Sequence, residues 1–264
     1  MDYGDISYDV VDHAAILTIR REKRLNAFTA TTIEELIHAF KRAWADKGVR
    51  GLILTGAGDR AFCVGGDVKV RNELGNYGPT ENGLFEIGYF HRLIRDVPKP
   101  VIAAVNGLAI GGGHVLHVLC DLSIAAEHAT FGQAGPRVGS FDAGFGSAYL
   151  ARVVGEKRAR EIWFLLRQYD AATAERWGLV NKVVPKEQLL DEAKAWVEEF
   201  AAYSPTSLRF LKHSFNADTD HQGGLSQMAM TGLDVFAVTD EAREGAAAFV
   251  EKRKPDFDSH QVAH

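Results

Sequence analysis

The sequence contains few cysteines and no long apolar run. Its 264 residues include two cysteines, Cys63 and Cys120, too few for a disulfide framework, so both are expected to be reduced, buried thiols. No apolar run approaches the roughly 18 residues that span a bilayer, and we expect no membrane partner. Lysine and arginine total 30 against 35 acidic residues, a net charge of −5. This balance argues against nucleic acid as a partner.

The N-terminal residues show no basic stretch followed by an apolar one. We therefore expect no secretory signal and a cytoplasmic location. The length suits one substantial domain with a large core. We expect a strand-rich core over residues 1–200 and a helical C-terminal region over residues 201–264.

Strand and helix patterns alternate through the first half of the chain. Strands are predicted at residues 6–11, 14–20, 51–55, 100–105 and 122–126, and helices at residues 32–44, 84–94 and 112–120. Residues 56–82 form a long polar, glycine-rich stretch, and from residue 145 onward the pattern is helical except at 178–184. Such alternation predicts an α/β protein with a largely parallel sheet.

Two glycine clusters each follow a strand-like run. Gly65-Gly66 comes after the strand at 51–55, and Gly111-Gly112-Gly113 after the strand at 100–105. Glycine lets a ligand approach the backbone closely, and two such turns on neighbouring strands can aim two N–H groups at one oxygen. That arrangement is an oxyanion hole. Tight packing of strand against helix is the alternative for either cluster.

Several motifs, in this order, resemble the crotonase (enoyl-CoA hydratase/isomerase) superfamily. They lie at residues 26–28, 56–67, 98–103, 111–113, 131–133 and 251–255. The resemblance implies a spiral of ββα units, an acyl-CoA thioester as substrate, a homotrimer or homohexamer, and no tightly bound cofactor or metal. It places the oxyanion-hole N–H groups on Gly66 and Gly112, where they would stabilise a thioester enolate.

The chain departs from the hydratases of this superfamily at two positions. Hydratases carry one glutamate shortly after the triple glycine and another after the Phe-Gly-Gln element, where this chain has Val115 and Gly135. Adding water across a double bond needs positioned proton-transfer groups, and neither residue supplies one. Simple enoyl-CoA hydration is therefore not expected.

A carboxyl group appears slightly later, at Asp142. Residues 138–144, 113–117 and 160–169 resemble a narrower branch that contains 1,4-dihydroxy-2-naphthoyl-CoA synthase and 2-ketocyclohexanecarboxyl-CoA hydrolase. In that branch the counterparts of Ser140 and Asp142 face the β-keto part of the substrate, and a lid tyrosine matches Tyr77. The segment 75–83 is accordingly either a mobile lid or a plain surface loop.

The same resemblance raises bicarbonate as a possible substitute for the missing glutamate, held by Gln133, Gly135 and Trp163. The alternative is that Gly135 makes space for a bulkier acyl group. The resemblance also assigns contacts to CoA and its acyl group at Lys23, Arg24, Ala27, Val64, Asp67, Val68, Leu108, Ile110, Gly111, Gln133, Ala134, Gly135, Trp163, Phe249 and Lys252.

Some residues have competing interpretations. Asp67 is favoured as a helix cap rather than a chemical group. His114 and His117 lack a third ligand at a fitting spacing, so packing on a helix face is favoured over metal binding. Leu25 stands where the branch has an arginine for CoA phosphates, with Lys23 and Arg24 as possible substitutes, and Ala237 stands where it has a tyrosine.

The reaction favoured by these features is hydrolytic ring opening of a cyclic β-ketoacyl-CoA. Ring closure by a naphthoyl-CoA synthase is the first alternative. A non-catalytic member of the superfamily that binds acyl-CoA or RNA is the second.

Overall fold

The core of the molecule is built from two β-sheets. The computed structural model describes residues 2–260. Within them the strands are β1 (Ile6–Val11), β2 (Ala14–Ile19), β3 (Gly51–Gly56), β4 (Ala61–Cys63), β5 (Val101–Val105), β6 (Leu108–Ile110), β7 (Leu122–Ala126), β8 (Thr130–Gly132), β9 (Gln168–Asp170) and β10 (Lys182–Val184). The first sheet has the order β1-β2-β3-β5-β7-β10, and the second has the order β4-β6-β8-β9.

Helices connect these strands and make up most of the chain after residue 145. They are α1 (Ala30–Ala45), α2 (Val68–Leu74), α3 (Ile87–Asp96), α4 (Gly112–Leu119), α5 (Leu150–Val154), α6 (Glu156–Leu165), α7 (Ala171–Arg176), α8 (Leu189–Ala201), α9 (Pro205–Ala217), α10 (His221–Ala237) and α11 (Asp240–Glu251). A π-helical turn, Phe145–Tyr149, precedes α5.

The strands follow a repeating path from one sheet to the other. β3, β5 and β7 lie side by side and parallel in the larger sheet, while β4, β6 and β8, which come next after each of them, do so in the smaller one. Each repeat therefore adds one strand to each sheet. This is the predicted spiral of ββα units, and the predicted α/β class is confirmed.

The larger sheet is covered on both faces, which explains its unbroken apolar strands. Leu52 and Leu54 of β3 lie in the main core with the buried face of α1. Ile53, between them, points to the other face and packs in a second cluster with Val197 of α8. A strand buried on both sides has no polar alternation, and so 51–55 reads as a continuous apolar run.

Several elements differ from the sequence expectation. The stretch 56–82 contains β4 and α2, which are too short to show a periodicity. The helix expected from residue 84 begins at Ile87, and Leu84 is exposed. The three-residue strands β6, β8 and β9 were not predicted, because they form only through pairing with one another and with β4.

The C-terminal helices pack onto the core of the same chain. Lys212 of α9 is buried, and its Nζ donates to Asp121 Oδ2 at 2.7 Å and to the carbonyls of Ile94 and Lys99 at 3.0 Å each. In α11, a Cβ on Gly245 would collide with the backbone of Gly139. These contacts tie α9 to α3 and to the residues on either side of β5 and α4, and they tie α11 to the turn after β8. The expected role of the region in trimerisation stays a prediction.

Both cysteines are buried free thiols, as expected. Burial raises the pKa of Cys63 to about 12, so it is protonated at neutral pH. Among the described helices, none combines the length and apolar character needed to cross a membrane.

Candidate active site

A short β-bridge between Phe28 and the turn at residues 65–67 leaves the N–H of Gly66 without a partner. The N–H of Phe28 donates to the Gly65 carbonyl at 2.8 Å, and the N–H of Asp67 donates to the Phe28 carbonyl at 2.9 Å. Gly66 lies between these two bonds, so its own N–H points away from Phe28. Within residues 2–260 no acceptor is bonded to it.

The N–H of Gly112 is free for a different reason. Gly112 is the first residue of α4, and the first N–H groups of a helix have no acceptor inside it. Its nitrogen lies beside Gly65, so that a Cβ on Gly65 would come within 2.8 Å of it. The two turns that carry the free N–H groups therefore touch, as an oxyanion hole requires.

Gly113 has a packing role. A Cβ there would overlap the main chain of Cys63, so only glycine lets α4 begin this close to β4. The triple glycine thus combines both expected explanations: Gly112 presents an N–H group, and Gly113 provides the close contact between helix and strand.

Tyr77 lies over Gly66. Its ring occupies the space that a Gly66 side chain would need, with the hydroxyl 3.0 Å from that Cβ position. The ring stacks on Phe85 at 4.4 Å between centroids, and the Tyr77 carbonyl accepts the N–H of Ala30 at 2.8 Å. These contacts hold the phenol ring and its hydroxyl against the Cα of Gly66.

Asp67 caps the helix that follows the glycine turn. Its Oδ1 accepts the N–H groups of Lys69 and Val70 at 3.2 and 3.3 Å. Its Oδ2 lies 3.2 Å from Nη2 of Arg21. The favoured interpretation of Asp67 as a cap is confirmed, and the cap orients α2 relative to Gly66.

Arg21 is a residue of this site that the sequence analysis missed. Besides Asp67 it contacts Asp5, at 3.3 Å, and donates to the main-chain carbonyl of Ala27. The resemblance to the crotonase superfamily implies that this carbonyl meets the adenine of CoA. Arg21 therefore links the expected adenine position to the cap beside the oxyanion hole, a connection that no local motif reveals.

Some of the other residues assigned to CoA lie on the two glycine turns or directly beside them, and the rest lie elsewhere on the surface. Val64, Val68, Leu108 and Gly111 are partly exposed, while Ile110 is buried. Lys23 and Arg24 lie on the exposed turn Glu22–Arg24. Phe249 and Lys252 are exposed at the end of α11, and Ala237 is exposed at the end of α10. In the described part of one chain, no contact brings these last three to the oxyanion hole.

Asp142 lines a cavity of about 490 Å³ together with Phe141, Trp163 and mainly small apolar residues. Its Oδ1 accepts the N–H of Gly146 at 3.2 Å. Burial among apolar groups raises the pKa of Asp142 to about 7, although that single hydrogen bond acts in the opposite direction. A carboxyl group with such a pKa can both accept and donate a proton near neutral pH.

Ser140 and Gly135 face each other across the turn before Asp142. The N–H of Ser140 donates to the Gly135 carbonyl at 2.9 Å, and a Cβ on Gly135 would lie 2.8 Å from the Ser140 carbonyl oxygen. A larger residue therefore cannot stand at 135 without moving this turn. The partly exposed Ala134 precedes it, and Arg71 of α2 holds the turn by donating to the Val138 carbonyl at 2.5 Å.

Of the three residues assigned to bicarbonate, Trp163 has its N–H bonded elsewhere in this arrangement, and bicarbonate binding stays a prediction. Trp163 already donates its Nε1–H to the Gly146 carbonyl at 2.7 Å. Gln133 is buried, with its amide nitrogen 3.4 Å from Nδ1 of His114. The carbonyl oxygen of Ser140 occupies the space beside Gly135 where a side chain would begin. Since Trp163 has one N–H, it has no further hydrogen to donate.

His114 and His117 are packed side by side inside the protein. Both are buried with ring centroids 5.0 Å apart, and burial lowers the pKa of His114 to about 3. Across residues 2–260 there is no cluster of three His, Cys, Asp or Glu side chains able to hold a metal ion. The pair is therefore part of the packing under α4.

A ββα spiral whose two touching glycine turns each present a free N–H group defines the crotonase class of fold. The chain belongs to the enoyl-CoA hydratase/isomerase family, whose model matches residues 12–260. It is an acyl-CoA enzyme of that superfamily.

Solved structures resemble it over almost the whole chain. An enoyl-CoA hydratase from Mycobacterium avium subsp. paratuberculosis is 29% identical, with a TM-score of 0.85 over 97% of this chain and 99% of that one. A carnitinyl-CoA hydratase from Mycobacterium avium is 30% identical, with a TM-score of 0.85 over 97% and 98%.

A monofunctional enoyl-CoA isomerase from Mycobacterium smegmatis is 32% identical, with a TM-score of 0.70 over 82% of this chain and 94% of that one. These three names describe different reactions on one fold, so the reaction has to be argued from the site itself.

Proposed function

We propose that this enzyme opens the ring of a cyclic β-ketoacyl-CoA by adding water. The observation that carries the proposal is Asp142, a carboxyl group whose pKa is raised to about 7 at the wall of a largely apolar cavity. At the two positions where hydratases of the superfamily have glutamates stand Val115, fully buried in the core, and Gly135. Asp142 is therefore our candidate for the proton-transfer group.

The free N–H groups of Gly66 and Gly112 would hold the thioester oxygen. Negative charge gathers on this oxygen when the Cα next to the thioester becomes an enolate, and fixed main-chain donors stabilise it. The Tyr77 hydroxyl beside Gly66 supplies a further donor on the same side.

Asp142, as a carboxylate, would take a proton from water while the hydroxide adds to the ring ketone, helped by the Ser140 hydroxyl. The resulting alkoxide re-forms a C=O bond, and the bond between that carbon and Cα breaks. Its electron pair moves into the thioester enolate. Protonated Asp142 then returns the proton to Cα, which leaves an open-chain thioester with a new carboxylic acid. One water is consumed, and Asp142 ends as it began.

The shape and lining of the cavity support a cyclic, apolar acyl group. Its wall combines aromatic surface from Phe141 and Trp163 with small residues such as Ala143, Ala148 and Ala159. The polar residues of the lining are Asp142, Ser147, Glu156 and Arg160. A mostly apolar pocket with a small number of polar groups suits a hydrocarbon ring that carries a polar function.

Mass spectrometry of the thioester distinguishes the candidate reactions. Incubation with 2-ketocyclohexanecarboxyl-CoA should add one water. Loss of one water from o-succinylbenzoyl-CoA would favour the naphthoyl-CoA synthase instead, which the Ser140–Asp142 segment also resembles. Rapid hydration of crotonyl-CoA, the type of reaction in the names of two structural relatives, would contradict the proposal. Binding without turnover of any thioester would favour the non-catalytic alternative.

We also propose assembly into a homotrimer or homohexamer. Large apolar side chains of α9, Phe210 and Phe215, are more than 70% exposed in the single chain, and Phe164 of α6 is 73% exposed. Monomers rarely leave such surface in water. Light scattering coupled to size-exclusion chromatography tests this, and a monomer at micromolar concentration would contradict it.

A further inference from the structure

The helix α6 forms one wall of the cavity that Asp142 lines. Trp163, Arg160 and Glu156 of this helix all face the cavity. Positions three or four apart on a helix share a face, with Cβ atoms roughly 5–6 Å apart. Trp163 is buried, whereas the side chains of Arg160 and Glu156 are 58% and 72% exposed. The wall therefore leads from the interior of the protein to a mouth formed by Arg160 and Glu156.

The buried end of this wall lies next to Asp142. The Nε1–H of Trp163 donates to the Gly146 carbonyl at 2.7 Å, and the N–H of Gly146 donates to Oδ1 of Asp142 at 3.2 Å. Arg160 stands one helical turn from Trp163, towards the mouth. A group of the acyl chain that moves from Asp142 towards solvent therefore passes the Arg160 guanidinium.

Arg160 is the only basic side chain in this cavity wall among residues 2–260. Its Nη2 donates to Oε2 of Glu156 at 3.4 Å, and both partners are exposed, so this pair contributes little free energy. A guanidinium has five N–H donors in a planar fork that matches a carboxylate. Arg160 can therefore bind a second carboxylate, with or without its contact to Glu156.

The proposed ring opening creates a carboxyl group at the former ring ketone carbon. Such a group is ionised in water at neutral pH, but here it forms beside Asp142, inside a mainly apolar wall. An unpaired carboxylate in apolar surroundings is costly, and a second carboxyl group nearby adds repulsion. The new carboxylate is therefore more stable at the mouth of the cavity, where Arg160 supplies a positive charge.

We propose that Arg160 binds the carboxylate of the ring-opened product and so selects acyl-CoA chains that end in a carboxylate. The inference rests on the proposed function for the origin of this carboxylate. It gives Arg160 a role in product recognition that is separate from proton transfer at Asp142 and from the oxyanion hole.

Equilibrium binding of two CoA thioesters of equal chain length tests the proposal without turnover. One is the CoA monothioester of heptanedioic acid, the product expected from 2-ketocyclohexanecarboxyl-CoA. The other is heptanoyl-CoA, which ends in a methyl group. Arg160→Gln should weaken binding of the first about tenfold, the effect of losing one charge-assisted hydrogen bond. It should leave the affinity for heptanoyl-CoA unchanged.

Two neighbours of Arg160 on α6 sharpen the test. Lys157→Gln removes an exposed lysine that does not line the cavity, and as the matched control it should change neither affinity. Glu156→Gln removes the competing carboxylate and should strengthen binding of the heptanedioic thioester roughly threefold. If the Arg160–Glu156 pair only held the helix, both substitutions would act in the same direction.

An equal loss of affinity for both thioesters in Arg160→Gln would overturn the proposal, as would no loss for either, or weaker product binding in Glu156→Gln. This failure is distinguishable from failure of the proposed function, which is judged by the addition of water to 2-ketocyclohexanecarboxyl-CoA. If that thioester gains water while Arg160→Gln binds the product as wild type does, only the role of Arg160 is wrong. If it gains no water, ring opening is wrong and the product carboxylate assigned to Arg160 does not arise.

Discussion

The ring of Tyr77 lies directly against the Cα of Gly66, with its hydroxyl 3.0 Å from where a Gly66 side chain would begin. Tyr77 belongs to the segment 75–83, and Gly66 belongs to the turn after β4. The role of each residue is explained only by its contact with the other. Glycine at 66 leaves room for both the free N–H and the tyrosine that covers it. The contact turns a glycine-rich segment into part of the candidate active site.

Gly66→Ala should reduce kcat/KM at least about 100-fold, the typical cost of losing one oxyanion-hole donor. The added methyl group overlaps the Tyr77 ring, so the ring and the turn have to shift. Steady-state kinetics with the active thioester measures the effect. Gly224→Ala in α10 is the control, because nothing lies within 4 Å of the added methyl. Equal activity of both variants would exclude Gly66 from the oxyanion hole.

Tyr77→Phe separates the hydroxyl from the ring. The stacking on Phe85 is kept, so folding and thioester affinity should change little. The rate should fall about tenfold if the hydroxyl donates one hydrogen bond in the transition state. The measurement is kcat and KM determined separately. A rise in KM at constant kcat would show that Tyr77 only closes over the substrate.

Asp142→Asn should abolish turnover while leaving CoA binding intact. In the wild-type enzyme the rate should rise with pH through about 7, where Asp142 loses its proton and becomes a base. A pH–rate profile measures this. A wild-type rate that does not change between pH 6 and 8 would remove Asp142 from the base role.

The same substitution has an opposite consequence for stability. The pKa of Asp142 in the folded protein, about 7, lies above its unfolded value of about 3.9, so folding disfavours the charged form. This cost is absent below the unfolded pKa and complete above the folded one. The melting temperature of Asp142→Asn relative to wild type should therefore increase from pH 4 to pH 8. If the difference in melting temperature between Asp142→Asn and wild type stayed constant over this pH range, the pKa of Asp142 would not be raised in the folded protein.

Added bicarbonate should leave the rate unchanged. The Nε1–H of Trp163 is already bonded to the Gly146 carbonyl, and Gly146 in turn donates its N–H to Asp142. The indole N–H of Trp163 therefore helps to position Asp142 through Gly146 and is not available to bind a bicarbonate ion. Assays in degassed buffer, with and without bicarbonate, check this, and Trp163→Phe should lower kcat more than it changes KM. Stimulation by bicarbonate would contradict this prediction, because the Trp163 N–H would have to break its hydrogen bond to the Gly146 carbonyl to bind the anion.

Lys212→Met should destabilise the protein by about 3 kcal/mol, since it leaves the partner carboxylate and two carbonyls without their buried donor. For a chain of this size we expect a melting temperature roughly 6–12 °C lower. Lys194→Met, which breaks an exposed pair with Asp191, is the control and should cost less than about 0.5 kcal/mol. Equal effects of the two would show that α9 is not anchored through Lys212.

Much of the fold follows from local patterns. The helix α1 repeats apolar residues such as Ile33, Leu36 and Phe40 at helical spacing and begins at a Thr29 cap. The strand β3 is an apolar run bounded by glycines. β4 and β9 escaped prediction because three residues carry no periodicity and depend on pairing partners far along the chain.

The candidate site was predictable only in part. The glycine turns and the Asp67 cap are local chemistry, and the sequence places them correctly. Arg21 was missed because an arginine outside a motif is indistinguishable from a surface charge. The significance of Arg21 comes from its hydrogen bond to the main-chain carbonyl of Ala27.

The sequence by itself determined the α/β class, the alternation of strands and helices, the glycine turns and the absence of a carboxyl group at positions 115 and 135. These properties depend on residue type and spacing within a few turns of chain. Only the tertiary structure decided that Tyr77 covers Gly66, that Trp163 is committed to Gly146, and that Asp142 has a pKa near 7. Each of these depends on which distant groups exclude water or share a hydrogen bond, and that is set when the sheets and helices pack together.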